Sequence, residues 1–296
     1  MNRPNPAPLI TVLGGTGRVG APGIDEFLSQ GLNVTILARS PGRVARRFAE
    51  ATVRRGSMLL ESDVRHALDG ANAAFLITPV GGNDDPEIEL KAAQTAISAA
   101  AATRLPHLIY LSLIQPPRPT GVAMLDVKGR VERLIQSSGL PWSSLRTGCY
   151  MEAWLNFFPR LMKMGIYLFP IGSRHRFSFT AQRDPARLAA HLIRQNRVLN
   201  DALDVIEPHT RTLRNVVDLY TAVSGRHLQP VGGWLLPVLK VLKPLFFKRF
   251  YPTGASRVSL FSHFNENDWV GDPSRLAEVL PEFQVTTMET RLYELI

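Results

Sequence analysis

The chain has 296 residues and one cysteine, a formal net charge of +9, and a composition of 45% hydrophobic and 20% charged residues. That length buries a large core without disulfide staples, and the composition excludes a disordered or collagen-like chain. The single Cys149 excludes a disulfide framework or a Cys-cluster zinc site, and the histidines show no HxxxH or HxH pairing, so a structural metal is not expected.

The chain begins MNRPNPAP, without the apolar core of a secretory signal, and no charge-free stretch is long enough to span a bilayer. A cytoplasmic protein is expected. Residues 8–13 (PLITVL) form a β-branched apolar run that leads into Gly14-Gly15-Thr16-Gly17-Arg18-Val19-Gly20 and an amphipathic stretch, IDEFLSQGL, ending near Gly31. This order reads as strand, glycine turn, helix. Strand patterns then recur at 33–38, 51–55, 71–78, 107–112 and 141–146, with helical patterns at 41–50, 61–68, 86–105 and 124–138 between them. Such alternation predicts βαβ units and a doubly wound α/β domain over residues 1–150, with a parallel sheet covered on both faces. After residue 150 aromatic residues cluster in YMEAWLNFFPRLMKMGIYLFP (150–170), which predicts a smaller C-terminal lobe over 151–201 and 226–296. A strand at 202–208 and a helix at 213–225 are expected to rejoin the sheet.

The positive charge is uneven. Residues 160–250 carry fifteen Lys or Arg against five Asp or Glu, whereas 251–296 carry three against seven. No run of adjacent basic residues in the first region exceeds two, and no nucleic-acid-binding signature is present, so an anionic ligand or a membrane surface is the better expectation. The segment 234–251 (WLLPVLKVLKPLFFKRFY) places Leu235, Leu239, Leu242, Phe246 and Phe250 on one helical face among Lys240, Lys243, Lys248 and Arg249. It is read either as a wall of the second lobe or as a peripheral contact with anionic lipid.

The segment Gly14 to Gly20, between a strand and a helix, fits a dinucleotide-binding turn. Its glycines let backbone N–H groups approach a pyrophosphate at the positive end of the first helix. No Lys-Ser or Lys-Thr follows, so it is not a P-loop. Where a carboxylate would hold the ribose of NAD, the second strand ends in Arg39, and ARSPGRVARR (38–47) holds no acid. A guanidinium suits a 2′-phosphate, so Arg39 and Arg18 point to NADP(H), while Arg43, Arg46 and Arg47 are read as solvating a surface helix.

The glycine turn, ARSP, DVRHALDGANAAFLITP (63–79), TGVAMLDVKGRVERLIQSSGLPWSSLRTGCYMEAW (120–154) and RDPARLAAHLI (183–193) together resemble the NmrA-like family of atypical short-chain dehydrogenases/reductases. The resemblance implies a Rossmann domain binding NAD(P), with a small lobe closing over the nicotinamide. It also implies that Lys128, on the helix after strand five, clamps the ribose. One helical turn earlier Met124 stands where the family pattern has Tyr or His, and methionine donates no proton. Ser112 resembles the reductase serine, with Leu113 in place of a second one. Thr78 and Pro79 are expected at the cofactor through backbone groups, whereas Asp126 is expected to be exposed and Cys149 and Tyr150 to pack. Lys128 and Ser112 are thus the candidate catalytic residues. The expected function is an NADPH-dependent oxidoreductase acting on a hydrophobic quinone, enone or carbonyl. The alternative is a non-catalytic NADP(H)-binding regulator or assembly factor.

Overall fold

The computed structural model describes residues 7–17, 19–78, 85–155, 159–169, 174–231 and 254–295. Arg18, Pro79 and the segment 234–251 therefore lie outside the described residues. The first half contains β1 (Leu9–Leu13), α1 (Gly20–Ser29), β2 (Asn33–Ala38), α2 (Pro41–Arg47), β3 (Thr52–Arg55), α3 (Glu61–Leu68), β4 (Ala73–Leu76), α4 (Pro86–Ala102), β5 (Leu108–Leu113), α5 (Ala123–Gln136) and β6 (Trp142–Thr147). The second half adds β7 (Cys149–Tyr150), α6 (Met151–Leu155), α7 (Pro159–Lys163), β8 (Ile166–Leu168), β9 (Arg176–Phe177), β10 (Phe179–Thr180), α8 (Asp184–Arg194), β11 (Ala202–Val205), β12 (Arg211–Thr212), α9 (Leu213–Ser224), β13 (Gln229–Val231), α10 (Gly254–Glu266), α11 (Ser274–Val279) and α12 (Met288–Leu295).

Seven strands form one parallel sheet in the order β11-β6-β5-β4-β1-β2-β3. The order reverses between β1 and β4, as in a doubly wound Rossmann fold. Strand alternation divides the apolar side chains between two faces. Ile10, Val12, Ala73 and Phe75 face a core shared with α1 and α8, while Leu13, Ala74, Leu76 and Tyr110 face one shared with α3, α4 and α5. Phe27 of α1 meets Phe75 edge to face, with ring centroids 5.3 Å apart. Along α4, Ala92, Ala93, Ala96, Ala99 and Ala100 are buried, and side chains this small let α3 and α5 approach on either side.

The pattern-based boundaries shift in several places. The helix expected over 86–105 begins at a cap in which the Asp85 side chain accepts Glu87 N, and it stops at Ala102 because Arg104 adopts φ +52. Helix α8, assigned by sequence to the second lobe, packs against α1 and joins the sheet's first core with Ala186 and Leu188. Strand β11 does pair with β6, but α9 buries Leu213, Val216 and Val217 in a separate aromatic core instead of on the sheet. Drawn by core membership, the second unit gathers Trp154, Tyr167, Phe169, Phe177, Phe179 and Trp269. Among the described residues no helix is long and apolar enough to cross a membrane.

Buried charges tie these layers together. On α5, Glu132 accepts Arg146 Nη2 at 2.7 Å and Ser144 Oγ at 2.5 Å, which fixes the helix to β6. Asp184 accepts Thr286 N at 2.6 Å and Thr286 Oγ1 at 2.8 Å, and Glu207 accepts Met288 N at 3.1 Å, so both anchor the C-terminal segment.

His107, just before β5, is buried with its ring nitrogen 2.8 Å from Ser143 Oγ, and burial lowers its pKa from 6.5 to about 4. The unfolded chain takes up this proton near pH 6.5 and the folded chain only near pH 4, so stability present above pH 6.5 is lost as pH falls between those values. Urea unfolding of wild type and His107→Gln checks this. Between about pH 7 and about pH 4.5 the wild type should lose roughly 2–3 kcal/mol more than the variant, and parallel losses would refute the assignment.

Candidate active site

The turn after β1 is shaped by close backbone approach. Gly14 has φ +83, and a Cβ there would overlap the carbonyl oxygen of Ile77, the residue following β4. Ile77 N in turn donates to Leu13 O at 2.8 Å, so the two loops touch across the reversal point of the sheet. At the other end of the turn, a Cβ on Gly20 would lie 2.5 Å from Gly15 Cα, which holds the start of α1 against the turn. Gly17 is exposed, and a Cβ there would meet no described residue within 4 Å. With no acidic residue in its first turn, α1 leaves its positive end uncompensated beside that open space, as pyrophosphate binding requires.

Arg39 follows β2 and is exposed, taking part in no ion pair or side-chain hydrogen bond among the described residues. Arg46 and Arg47 are occupied locally: Arg46 Nε donates to Gly42 O at 3.2 Å, and Arg47 pairs with Asp25 at 3.4 Å while lying over the Phe48 ring. The register pairs Ala38 with Arg55, so a further exposed arginine stands at the same sheet edge as Arg39. Sequence reasoning missed Arg55 because that neighbourhood exists only once β2 and β3 are aligned.

Lys128 is buried on α5. Its Nζ lies 2.6 Å from Glu89 Oε1 of α4 and donates to Thr78 Oγ1 at 2.8 Å. The Thr78 hydroxyl donates to the same Glu89 oxygen, and the Tyr110 hydroxyl lies 3.3 Å from Thr78 Oγ1. Burial, with the nearby Glu89 charge, raises the Tyr110 pKa well above its ordinary value, so the phenol keeps its proton. Thr78 thus has a side-chain role in this cluster, beyond the expected backbone one. Glu89 carries no motif, and its one sequence signal is an acidic residue inside an otherwise alanine-rich helix face.

A cavity of about 810 Å³ is lined by Val19, Ile77 and Thr78, by Ser112, Met124 and Lys128, and by the rings of Trp154, Phe169, Phe261, Phe264 and Trp269. The aromatic end is packed ring on ring, with the Trp154 and Phe169 centroids 4.4 Å apart. Ser112 is buried, and its hydroxyl has no hydrogen-bond partner among the described residues. Met124 is half-buried and packs toward the aromatic core. Tyr150 lines the cavity with its hydroxyl 3.3 Å from Thr147 Oγ1, and desolvation raises its pKa. Burial likewise pushes up the Cys149 thiol, which is therefore no ready nucleophile. Glu152, also on the wall, is held by Gln182 N and by Arg291 of α12 at 2.7 Å. Asp126 is half-buried, not exposed, because its carboxylate accepts Thr120 N, Thr120 Oγ1 and Gly121 N and so shapes the turn before α5.

The chain matches the NmrA-like family over residues 6–280. It is 29% identical over 224 residues to the (4-alkanoyl-5-oxo-2,5-dihydrofuran-3-yl)methyl phosphate reductase of Streptomyces griseus, spanning 75% of this chain and 76% of that one. It is 24% identical over 230 residues to an NAD(P)H azoreductase of Xenophilus azovorans, spanning 76% and 77%. Its fold is similar to that of Citrobacter sp. triphenylmethane reductase complexed with NADP(H), with a TM-score of 0.79, 15% identity, and coverage of 98% of this chain and 100% of that one. Both the extent of the match and the glycine turn, Lys128, and the Glu132 and Arg146 pair seen in three dimensions lead to one conclusion: this chain belongs to the NmrA-like family.

Proposed function

We propose that this protein is an NADPH-dependent oxidoreductase that reduces a hydrophobic quinone, enone or carbonyl compound. One observation carries the reading: a single cavity is lined by Val19 of the glycine turn, by a buried lysine, by a serine without a hydrogen-bond partner among the described residues, and by a group of aromatic rings. The glycine turn, the open space at Gly17 and the uncompensated end of α1 suit a pyrophosphate, while Arg39 suits a 2′-phosphate. When bound, NADPH supplies a hydride at its nicotinamide. The reductases to which this chain is similar agree with that chemistry.

The protein's own residues bind, orient and exclude water. Lys128 offers an ammonium on the cavity lining, Ser112 offers a hydroxyl to an acceptor oxygen, and the aromatic rings stack a planar acceptor away from solvent. Met124 supplies no proton. An isolated ketone needs an acid beside its developing alkoxide, whereas a quinone or conjugated enone spreads the incoming charge. Quinones and enones are therefore the preferred acceptors. The second reading, an NADP(H)-binding regulator or assembly factor without turnover, is favoured by the same Met124.

NADPH should bind more tightly than NADH by roughly 1.5–3 kcal/mol, and Arg39→Ala should remove most of that gap while sparing NADH. Titration of both nucleotides by intrinsic fluorescence measures it, and equal wild-type affinities would refute the preference. With NADPH and a panel of quinones and enones, loss of the reduced-nicotinamide absorbance should be catalysed. Lys128→Ala should slow it by at least about tenfold, and Met124→Tyr should leave it active. No turnover across diverse acceptors would favour the regulator. Ser112→Ala should leave stability unchanged or raise it by up to about 1 kcal/mol, since it removes an unsatisfied buried hydroxyl, yet turnover should fall. A loss of stability with full turnover would show that the hydroxyl serves the fold instead.

A further inference from the structure

We propose that Glu89 is a positioning residue for Lys128, holding its ammonium so that one N–H is left for the nicotinamide end of a bound dinucleotide. The proposal rests on the dinucleotide reading above. Both side chains are almost wholly enclosed, with relative exposures of 7% for Lys128 and 3% for Glu89. They come from different helices, α5 and α4, and meet beside Thr78 at the end of β4.

Proton counting defines the cluster. The Thr78 hydroxyl has one proton, and it donates that proton to Glu89. Lys128 and Tyr110 must therefore each donate to Thr78. The arrangement is complete with a carboxylate at Glu89 and an ammonium at Lys128. An ammonium has three N–H donors, of which Glu89 and Thr78 take two. The third meets no hydrogen-bond acceptor among the described residues, the nitrogen lying 5.8 Å from the Tyr110 ring centroid, and Lys128 lines the cavity.

The other carboxylate whose charge reaches Tyr110 is already committed elsewhere. Glu132 lies one helical turn further along α5 but is already committed to Arg146 and Ser144. An ammonium enclosed without a counter-charge is strongly disfavoured, and the flexible lysine stem would let it swing away from the cavity. Glu89 thus supplies both the counter-charge and the direction, so that the donor is set before the ligand arrives.

The test compares two ligands on the full chain. NADPH carries the nicotinamide ribose, and adenosine 2′,5′-bisphosphate ends before it. In Glu89→Gln, which keeps the shape and removes the charge, NADPH affinity should fall by about tenfold or more while adenosine 2′,5′-bisphosphate binding stays within about twofold. Should Glu89→Gln fold poorly because Lys128 is left unpaired, Glu89→Gln combined with Lys128→Met removes both charges. That double variant should regain thermal stability yet keep the selective loss for NADPH. Unchanged NADPH affinity in either variant, or an equal loss for both ligands, overturns the positioning role. A wild type that binds adenosine 2′,5′-bisphosphate and NADPH equally well also overturns it, because the nicotinamide end would then gain nothing from the cluster. A wild type that binds neither ligand overturns the dinucleotide reading itself and this proposal with it.

Discussion

A parallel sheet must be covered on both faces, and the site follows from how this chain meets that constraint. Strands β1 and β4 lie side by side, but the chain leaves β1 for α1 on one face and leaves β4 for α4 on the other. The divergence opens a crevice at their carboxyl ends, the place where ligands bind in open α/β sheets. Gly14 is required there because the carbonyl of Ile77 occupies the space of any side chain. The same crevice brings Thr78 to Lys128 and Glu89, so the dinucleotide turn and the buried charge cluster are two edges of one gap.

Enclosed charge explains much of the remaining architecture. Each buried carboxylate is satisfied by partners on another element: Glu132 by β6, Asp184 and Glu207 by the C-terminal segment, Glu89 by α5. An unpaired partner would be costly, so these contacts set which elements sit together. The uneven distribution of charge along the sequence has a similar origin. Arg176 pairs with Asp268, Arg183 with Glu294 and Arg211 with Glu289, so the basic 160–250 region is matched in part by the acidic region that follows it. That share of the charge is internal and needs no nucleic acid or membrane to explain it.

The cavity combines strong positioning with weak acidity. Lys128 is fixed, Tyr110 and Tyr150 hold their protons more tightly than free phenols, and Met124 has none to give. Around an aromatic wall, this set is in keeping with the proposed quinone or enone acceptors, whose reduced forms spread charge. Ser112, also on the cavity wall, is buried with no hydrogen-bond partner among the described residues.

By itself the sequence determined the elements whose signals are local. The strand and helix periods reflect burial on one or two faces, the glycine turn reflects a backbone path closed to side chains, and Arg39 and Lys128 stand at fixed offsets from their strands. It could not determine what depends on distant segments meeting. Helix α8 has an amphipathic pattern that suits any apolar surface, and only its packing against α1 assigns it to the sheet. Arg55 joins Arg39 only through the register of β2 and β3. Glu89 reads as a solvated residue on an alanine-rich helix until α4 and α5 pack together. Tertiary structure decided its role, because a charge buried on one helix must find its counter-charge on another.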